Sequence, residues 1–247
     1  MAHSRETTTR CATTGNSETL VSCQSPSDKG LQTYFDKRIS VAKISRGLVM
    51  HKHTATEFLG ALDPANDATF HITTLTDMPK GTDKPKPDLL LRQYEGLTLA
   101  EVELLLPELG ELNEAGAGIF FCVNQCQGKR KKENVTRVRC VHADFDSATQ
   151  SQIEAVRRKL SPSIEVRTSG TNKCHMYWAI DGTNALDVPT AEAMNRSLVD
   201  LGADSAATDV SRLLRLPGFR HMKYRSIGET PLVTATFSEE QSEGAEQ

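Results

Sequence analysis

The sequence predicts an α+β fold with a largely antiparallel sheet, and three observations support it. Segments in which apolar and polar residues alternate are interspersed with amphipathic helical segments. Two strand-like segments, 162–169 and 173–180, are joined by a short Gly-containing loop, which is typical of a hairpin. The 247 residues are 38% hydrophobic and 25% charged, as in ordinary globular proteins. Hairpins mixed with crossovers favour α+β over a purely parallel sheet.

The two ends of the chain differ in composition from the middle. Residues 1–44 are rich in Ser and Thr at their start and have little apolar periodicity, so we predict a disordered leader. Residues 238–247 are acidic and polar, which predicts a tail. We therefore expect one folded domain, 45–237.

The first half of this domain contains two helical patterns and two strand patterns. Residues 98–116 have a Thr cap and a Gly stop, although Pro107 should kink or break that helix. Three prolines make 78–88 a loop. The predicted elements are, in order, a helix in 54–64, a strand in 68–77, the helix in 98–116, a buried strand in 116–124 and a basic turn at 128–134.

The second half alternates strands and helices more regularly. A single strand over 135–146 should run into two aspartates, and Ser147 should cap the helix that follows it. After the predicted hairpin, a helix over 188–202 has Pro near its start and Gly at its end. A last strand is expected in 231–237.

Overall charge and cysteine content indicate little about partners. The formal net charge of −3 excludes a uniformly basic coat but allows a local basic groove. No run of eighteen apolar residues and no secretion signal is visible, so we expect a cytoplasmic protein with no membrane partner. The six scattered cysteines should then be reduced.

Asp144 and Asp146 are the first candidate site residues. On a strand, residues i and i+2 share a face, so the two carboxylates would lie roughly 7 Å apart, with Phe145 pointing the other way into the core. Aspartate is also common in strand-end turns, where it caps the next helix. Two in alternation behind an apolar strand instead favour a divalent metal site with oxygen ligands.

Asp209 is the candidate for a third acidic ligand. An N-cap before the segment 210–215 is its alternative role. Cations follow it closely, however, and a carboxylate among cations suits a metal and phosphate site. These cations are Arg212, Arg215, Arg220, His221, Lys223 and Arg225.

Two further segments could bind phosphates. Ser169, Lys173 and His175 surround the predicted hairpin loop, whose backbone N–H groups and lysine could bind an anion. A packed or solvated histidine is the alternative for His175. The basic turn carries four consecutive cations just before the two aspartates and could follow a nucleic-acid backbone, although such turns are often only solvated. They are Lys129, Arg130, Lys131 and Lys132.

A structural zinc site is an alternative for part of this region. Four possible ligands are present, Cys122, Cys126, Cys140 and His142. Against zinc, Cys122 lies in a strand that should be buried, and no pair of cysteines has the usual CxxC spacing.

Three blocks, "VHADFD", "SGTNKCHMYW" and "TDVSRLLRLPG", resemble the archaeo-eukaryotic primase superfamily in order and spacing. The preceding "GAGIFFCVN" and the basic turn make the similarity closest to RepB-like primases of plasmids and phages. The similarity covers roughly 55–237. Lys129-Arg130 stands where Gly-Arg is more usual, so no specific role is assigned to Arg130.

The resemblance implies a primase core on an RRM-like sheet with a site for two Mg²⁺ or Mn²⁺ ions. By motif, Asp144, Asp146 and Asp209 would bind the metals, and His175 with Ser169 would contact the phosphates of the incoming nucleotide. From charge, we expect Lys173, Arg212 and Arg215 to bind the triphosphate as well.

The expected function is a DNA primase that makes short primers on single-stranded DNA from NTP or dNTP, in plasmid or phage replication and with a replicative helicase. A primase-polymerase that extends primers with dNTPs is one alternative. A non-catalytic protein that binds a replication origin is another, although such a protein has no use for three clustered carboxylates.

Overall fold

The computed structural model describes residues 55–79, 81–83, 85–180 and 185–238. The predicted leader lies outside these residues, as do 45–54 and most of the predicted tail. The helices are α1 (Ala55–Leu62), α2 (Leu99–Ala115), α3 (Gln150–Leu160) and α4 (Val188–Ser197). The strands are β1 (Phe70–Thr76), β2 (Arg92–Leu97), β3 (Ala117–Cys122), β4 (Gln125–Cys126), β5 (Val135–Arg137), β6 (Cys140–Phe145), β7 (Ile164–Arg167), β8 (Cys174–Ala179), β9 (Leu213–Arg215) and β10 (Thr234–Phe237).

The strands form two four-stranded sheets and one small hairpin. The first sheet has the order β2-β1-β3-β9, the second has the order β10-β7-β8-β6, and β4 pairs with β5. Every pairing between these strands is antiparallel. The predicted α+β class with an antiparallel sheet is therefore confirmed. Along the chain, the second sheet and its two helices run β6-α3-β7-β8-α4-β10, which is the β-α-β-β-α-β order of an RRM-like unit. Strand β9 lies between α4 and β10 in the chain but pairs in the first sheet.

Two hydrophobic clusters hold these layers together. The first lies between the two sheets and α1, where the ring of Phe58 packs edge-on against Phe121 at 5.1 Å and Tyr177 at 5.5 Å. The second lies on the other face of the second sheet, where Phe145 and Trp178 pack against α3 and α4. The predicted inward orientation of Phe145 is confirmed, because its side chain is fully buried in this second cluster.

Several predicted element boundaries need correction. Helix α2 has the predicted Thr98 cap and Gly116 stop, but it continues through Pro107, which is exposed, so the carbonyl it leaves unpaired is on the solvent side. The cap of α3 is Thr149 rather than Ser147: both residues precede a Gln by three, and the structure forms the Thr149–Gln152 capping box. No α-helix follows Asp209, because 213–215 pairs with β3.

Residues 135–146 form two strands instead of the single predicted one. Between β5 and β6, the side chain of Asn124 accepts hydrogen bonds from the backbone N–H groups of Arg139 and Cys140, at 2.9 and 3.3 Å. Strand β5 turns away to pair with β4. Strand β2 was not predicted, since its residues show no apolar alternation and are mostly exposed. Within the described ranges, no helix has the length and apolar character needed to cross a membrane.

Candidate active site

Asp144 and Asp146 lie at the end of β6, an edge strand of the second sheet, with the oxygen of a third aspartate close by. Ligand atoms of Asp144, Asp146 and Asp204 all lie within 4.8 Å of one another. Asp204 reaches this position because its backbone N–H donates to the carbonyl of Asp144 at 2.7 Å. Three carboxylates this close are an oxygen donor set that suits Mg²⁺ or Mn²⁺.

The environment of Asp144 favours protonation of this group when no cation is present. Its pKa is raised to about 7, mainly by burial and additionally by the negative charges of Asp146 and Asp204. Arg212 and Arg215 act in the opposite direction but do not offset these effects. A divalent cation would supply the missing positive charge. The donor set therefore fits a metal ion.

Asp209 is not part of this group of three. One of its oxygens accepts a hydrogen bond from Ser211 Oγ at 3.2 Å, and the other lies 3.6 Å from Arg212 Nη1. Its side chain is 43% exposed, against 16% for Asp144. Asp209 therefore lies on the same loop as Asp204 but faces Arg212. Its predicted role as a metal ligand stays a prediction.

Two buried asparagines hydrogen-bond the loop that carries Asp204 and Asp209 to the unpaired edge of β6. Asn195 on α4 accepts from the backbone N–H of His142 at 3.0 Å and donates to the carbonyl of Thr208 at 3.2 Å. Asn124, which caps the start of β6, donates to the carbonyl of Val210 at 2.9 Å. The position of the loop relative to Asp144 and Asp146 therefore depends on the two amides.

His142 belongs to the same connection and not to a zinc site. Its Nε2 donates to the carbonyl of Ala207 at 3.1 Å, and its Nδ1 lies 3.4 Å from Asn195 Nδ2. Burial lowers its pKa to about 4, so the ring is neutral at neutral pH. Because both ring nitrogens are engaged away from the cysteines, the zinc alternative is wrong. Cys122 and Cys126, with sulfurs 3.8 Å apart, are free thiols.

His175 faces Asp144 across the pair formed by β6 and β8. The two residues are direct cross-strand partners, and His175 Nε2 lies 3.7 Å from an Asp144 oxygen. Burial, with Arg215 next, lowers the pKa of His175 to about 3, so this contact joins a neutral imidazole to the carboxyl group and is not an ion pair. The Tyr177 hydroxyl lies 3.3 Å from Nδ1, and when it donates there the proton on Nε2 faces the acids.

Asp144, Asp146 and His175 line one cleft of about 170 Å³, called the acidic cleft below. Most of the residues predicted for the site meet in it, namely Asp144, Asp146, Ser169, Lys173, His175, Arg212 and Arg215. Cations therefore face the carboxylates across a space that could take a nucleotide's phosphates. Among the described residues, Lys173 has no carboxylate partner, which leaves its ammonium group available to an anion.

Arg215 is held more firmly than the sequence indicates. Its guanidinium makes two hydrogen bonds to Asp77, at 2.8 and 2.9 Å, and lies 4.9 Å from the centre of the Phe120 ring. Because Asp77 engages both terminal nitrogens, Arg215 contributes mainly a fixed positive field. Arg212 has a weaker partner at 3.6 Å and is more available to phosphate.

Sequence analysis missed several residues in and beside this cleft. Asp204 lies five residues before Asp209 in the same polar loop, and that proximity was the available signal. Phe120 and Tyr224, which were not predicted either, line the cleft. Of the predicted DNA-binding residues, Lys129, Arg130 and Lys131 line a different cleft, and Lys132 pairs with Glu192 at 2.6 Å.

Replacing Gly118 with alanine should disturb the floor of the acidic cleft. A Cβ at this position would lie 2.6 and 2.9 Å from carbons of the Phe120 ring and 3.1 Å from Asp77 Cγ. We expect the Gly118→Ala change to lower the free energy of unfolding by about 1–3 kcal/mol, measured by urea denaturation. Gly110→Ala in α2, where a Cβ meets nothing within 4 Å, should be neutral or stabilising. Equal effects of the two changes would contradict this packing.

Acidification should destabilise the metal-free protein. His142 and His175 have pKa values lowered by burial to about 4 and about 3, so between these values and about 6.5 the unfolded chain binds more protons and stability falls as the pH falls. Burial also lowers the pKa of His221 to about 4, and Asp144, whose pKa burial raises, has the opposite effect on stability but is one group against three. Urea denaturation in the presence of a chelator should show a loss of roughly 2 kcal/mol per pH unit below about pH 6.5. Constant or rising stability over that range would contradict the buried neutral state of these histidines.

The family model for the RepB DNA-primase N-terminal domain matches residues 123–244, so this part of the chain is a RepB-like domain of the archaeo-eukaryotic primase type. The match includes the block "VHADFD", the hairpin with His175 and the block "TDVSRLLRLPG" with Arg212 and Arg215.

Solved structures share this fold. The crystal structure of primase RepB' matches with a TM-score of 0.54 at 17% identity. The match covers 74% of this chain but only 55% of the RepB' chain. The AEP domain of the cyanophage S-2L primase-polymerase matches with a TM-score of 0.53 at 20% identity, and the match covers 73% of this chain and 86% of the cyanophage chain. The catalytic domain of RepB' in complex with initiator DNA has a TM-score of 0.52 at 16% identity, covering 74% and 83%. No curated protein matches the chain.

Proposed function

We propose that this chain is a DNA primase domain that makes short primers on single-stranded DNA by metal-dependent nucleotidyl transfer. The single observation that carries the proposal is that Asp144 and Asp146, with Asp204 close beside them, share one cleft with His175 and Arg212. An acid cluster faced by cations and a neutral imidazole donor suits a polyanionic substrate together with divalent cations. The family match and the fold of the solved primases support the same activity.

The chain's own residues have distinct parts in this proposal. Asp144, Asp146 and Asp204 would hold two Mg²⁺ or Mn²⁺ ions, which when bound neutralise phosphate charge and lower the pKa of the attacking hydroxyl. His175 Nε2–H donates to a phosphate oxygen beside Asp144. Because its pKa is low, this histidine orients phosphate and is not a general acid at neutral pH.

The triphosphate would lie on the cationic side of the cleft. Arg212 and Lys173 are the side chains most available to bind it, and Ser169 in the hairpin loop adds a hydroxyl. Arg215 adds positive potential from its fixed position beside Asp77. This arrangement positions the substrate and stabilises charge, which is most of what phosphoryl-type transfer requires of a protein.

The biological setting is part of the proposal. Replication of a plasmid or phage, and work beside a replicative helicase, are expected from the RepB-like family. One of the similar structures is named a primase-polymerase. Preference for dNTPs over NTPs would favour that variant of the function, with the same acidic cleft.

Primer synthesis on an unprimed template tests the proposal. The protein is incubated with single-stranded DNA, labelled NTPs or dNTPs, and Mg²⁺ or Mn²⁺. We expect dinucleotides and longer products that disappear when a chelator is added. If no product forms with either metal and either class of nucleotide while DNA is still bound, the chain is a non-catalytic DNA-binding protein and the proposal fails.

A further inference from the structure

A second cleft, called the basic cleft here, lies between the basic turn and the outer half of the first sheet. Its volume is about 170 Å³, and its strand side includes Thr73, Gln93 and Glu95. Lys129, Arg130 and Lys131 line the opposite side. The residues proposed to bind metal and triphosphate are all outside it. A ligand of the basic cleft would therefore be held by residues other than those that bind metal and triphosphate.

The basic turn is fixed in place without any ligand. His71 Nε2 donates to the carbonyl of Gly128 at 2.5 Å, which ties the turn to β1. Arg130 Nη1 donates to the carbonyl of Ser211 at 2.8 Å, and Asn134 Nδ2 donates to the carbonyl of Lys129 at 2.7 Å. Because two of these hydrogen bonds join the turn to distant parts of the chain and the third lies within the turn, the cleft is preformed and little ordering is needed on binding.

One row of cross-strand partners connects the basic cleft with the acidic cleft. Gln93 lies opposite Thr73, Thr73 opposite Phe120, and Phe120 opposite Arg215. Direct partners share a face of the sheet. Gln93 and Thr73 line the basic cleft, whereas Phe120 and Arg215 line the acidic cleft. Three strand spacings make the row about 14 Å long, so the two clefts open on the same face at that separation.

The charges of the basic cleft favour a polyanion. Lys129 has no carboxylate partner among the described residues, and Lys131 has only the exposed Glu133 at 3.5 Å. Glu95 is the one acid among the side chains that line the cleft. Lys132, by contrast, turns to Glu192 on α4 and leaves the cleft. Three cations against one acid, on a fixed turn, match a sugar-phosphate backbone.

We propose that the basic cleft binds the backbone of the single-stranded template, which then crosses the Gln93–Thr73–Phe120–Arg215 row to reach the acidic cleft. This inference rests on the proposed function and deepens it, because it assigns the template a path separate from that of the incoming nucleotide. A free nucleotide would have its phosphates at Arg212 and Lys173. A continuous strand can occupy both ends of the row.

The salt dependence of DNA binding tests the path. We would measure the Kd of a labelled dT homopolymer by fluorescence anisotropy over a range of salt concentrations, without metal or nucleotide. On a single strand, every phosphate that the protein neutralises adds about 0.7 to the steepness with which log K falls against log salt. Lys129→Ala should therefore reduce the slope by that amount and weaken binding about fivefold near 0.1 M salt.

Two other variants make the test specific to the cleft. Arg158→Ala removes one exposed cation on α3, outside both clefts, and should leave Kd and slope as in the wild type. Glu95→Gln removes the acid of the basic cleft and should tighten binding about two- to fivefold. A gain of affinity cannot come from misfolding. The inference is overturned if Lys129→Ala and Arg158→Ala behave alike, or if Glu95→Gln fails to tighten binding.

Failure of this inference is distinguishable from failure of the proposed function. The binding assay requires no synthesis, so its outcome does not depend on catalysis. In the primer assay, Lys129→Ala should raise the template KM with kcat unchanged. Primer synthesis by the wild type with no effect of Lys129→Ala on KM would leave the primase proposal intact and reject the path.

Discussion

Replacing Asp144 with asparagine should reduce primer synthesis by about 10³-fold or more, a decrease of about 4 kcal/mol in transition-state stabilisation. The Asp144 side chain is only 16% exposed, and it lies between Asp204 and His175. An asparagine keeps the size of the side chain but removes the negative charge that a divalent cation requires. The rate is measured on unprimed single-stranded DNA at saturating nucleotide.

Asp200→Asn is the matched control for this change. It also converts one aspartate to asparagine, on an exposed site of the turn after α4 and outside the cleft, and should leave the rate unchanged. The Asp144→Asn protein should be at least as stable as the wild type without metal, because one of three crowded carboxylates is neutralised. A variant that is folded and still active near the wild-type rate would show that the site has been misassigned.

Replacing Asp204, the third acid of the cluster, should cause the second large decrease in the rate of primer synthesis. We expect Asp204→Asn to lower the rate about 10²-fold or more, and Asp209→Asn to lower it by about tenfold or less. The reason is distance: Asp204 has an oxygen within 4.8 Å of those of Asp144 and Asp146, whereas Asp209 faces Arg212. Asparagine preserves the hydrogen bond that Asp204 Oδ1 accepts from Ala206 N–H, so loop structure is retained.

The sequence motif points to the opposite ranking. By resemblance, Asp209 occupies the position of the third acid, and the structure instead favours Asp204. Measuring both variants under identical metal concentrations decides between them. If Asp209→Asn causes the larger decrease in rate, the assignment of Asp204 as the third metal ligand is wrong and Asp209 takes that role.

Local periodicity predicted the parts of the site that lie on regular strands. The alternation of Asp144, Phe145 and Asp146 fixed which side chains share a face, and Phe145 indeed lies in the core. The short hairpin loop predicted that β7 and β8 pair, and the pairing of β8 with β6 then brings His175 opposite Asp144. These relations follow from the two-residue period of a strand.

Tertiary contacts determined the parts that could not be predicted. Asp204 lies in an irregular loop, which is placed against β6 by the amides of Asn124 and Asn195 and by hydrogen bonds from His142 and the Asp204 backbone. Nothing local in the sequence indicates such an interaction between residues so far apart. Strand β2 has no apolar alternation because it is an edge strand with exposed residues. The sequence also did not indicate that 213–215 pairs with β3 in the first sheet, because this pairing joins segments about 90 residues apart.

The location of bound Mn²⁺ tests the central claim most directly. In a crystal grown or soaked with Mn²⁺, anomalous scattering places the ion without reference to any assumed mechanism. We predict a peak coordinated by carboxylate oxygens of Asp144, Asp146 and Asp204, and disappearance of that peak in the Asp144→Asn protein. Absence of Mn²⁺ from the acidic cleft at saturating concentration, or a peak bound elsewhere, would contradict the assignment of this cluster as the metal site.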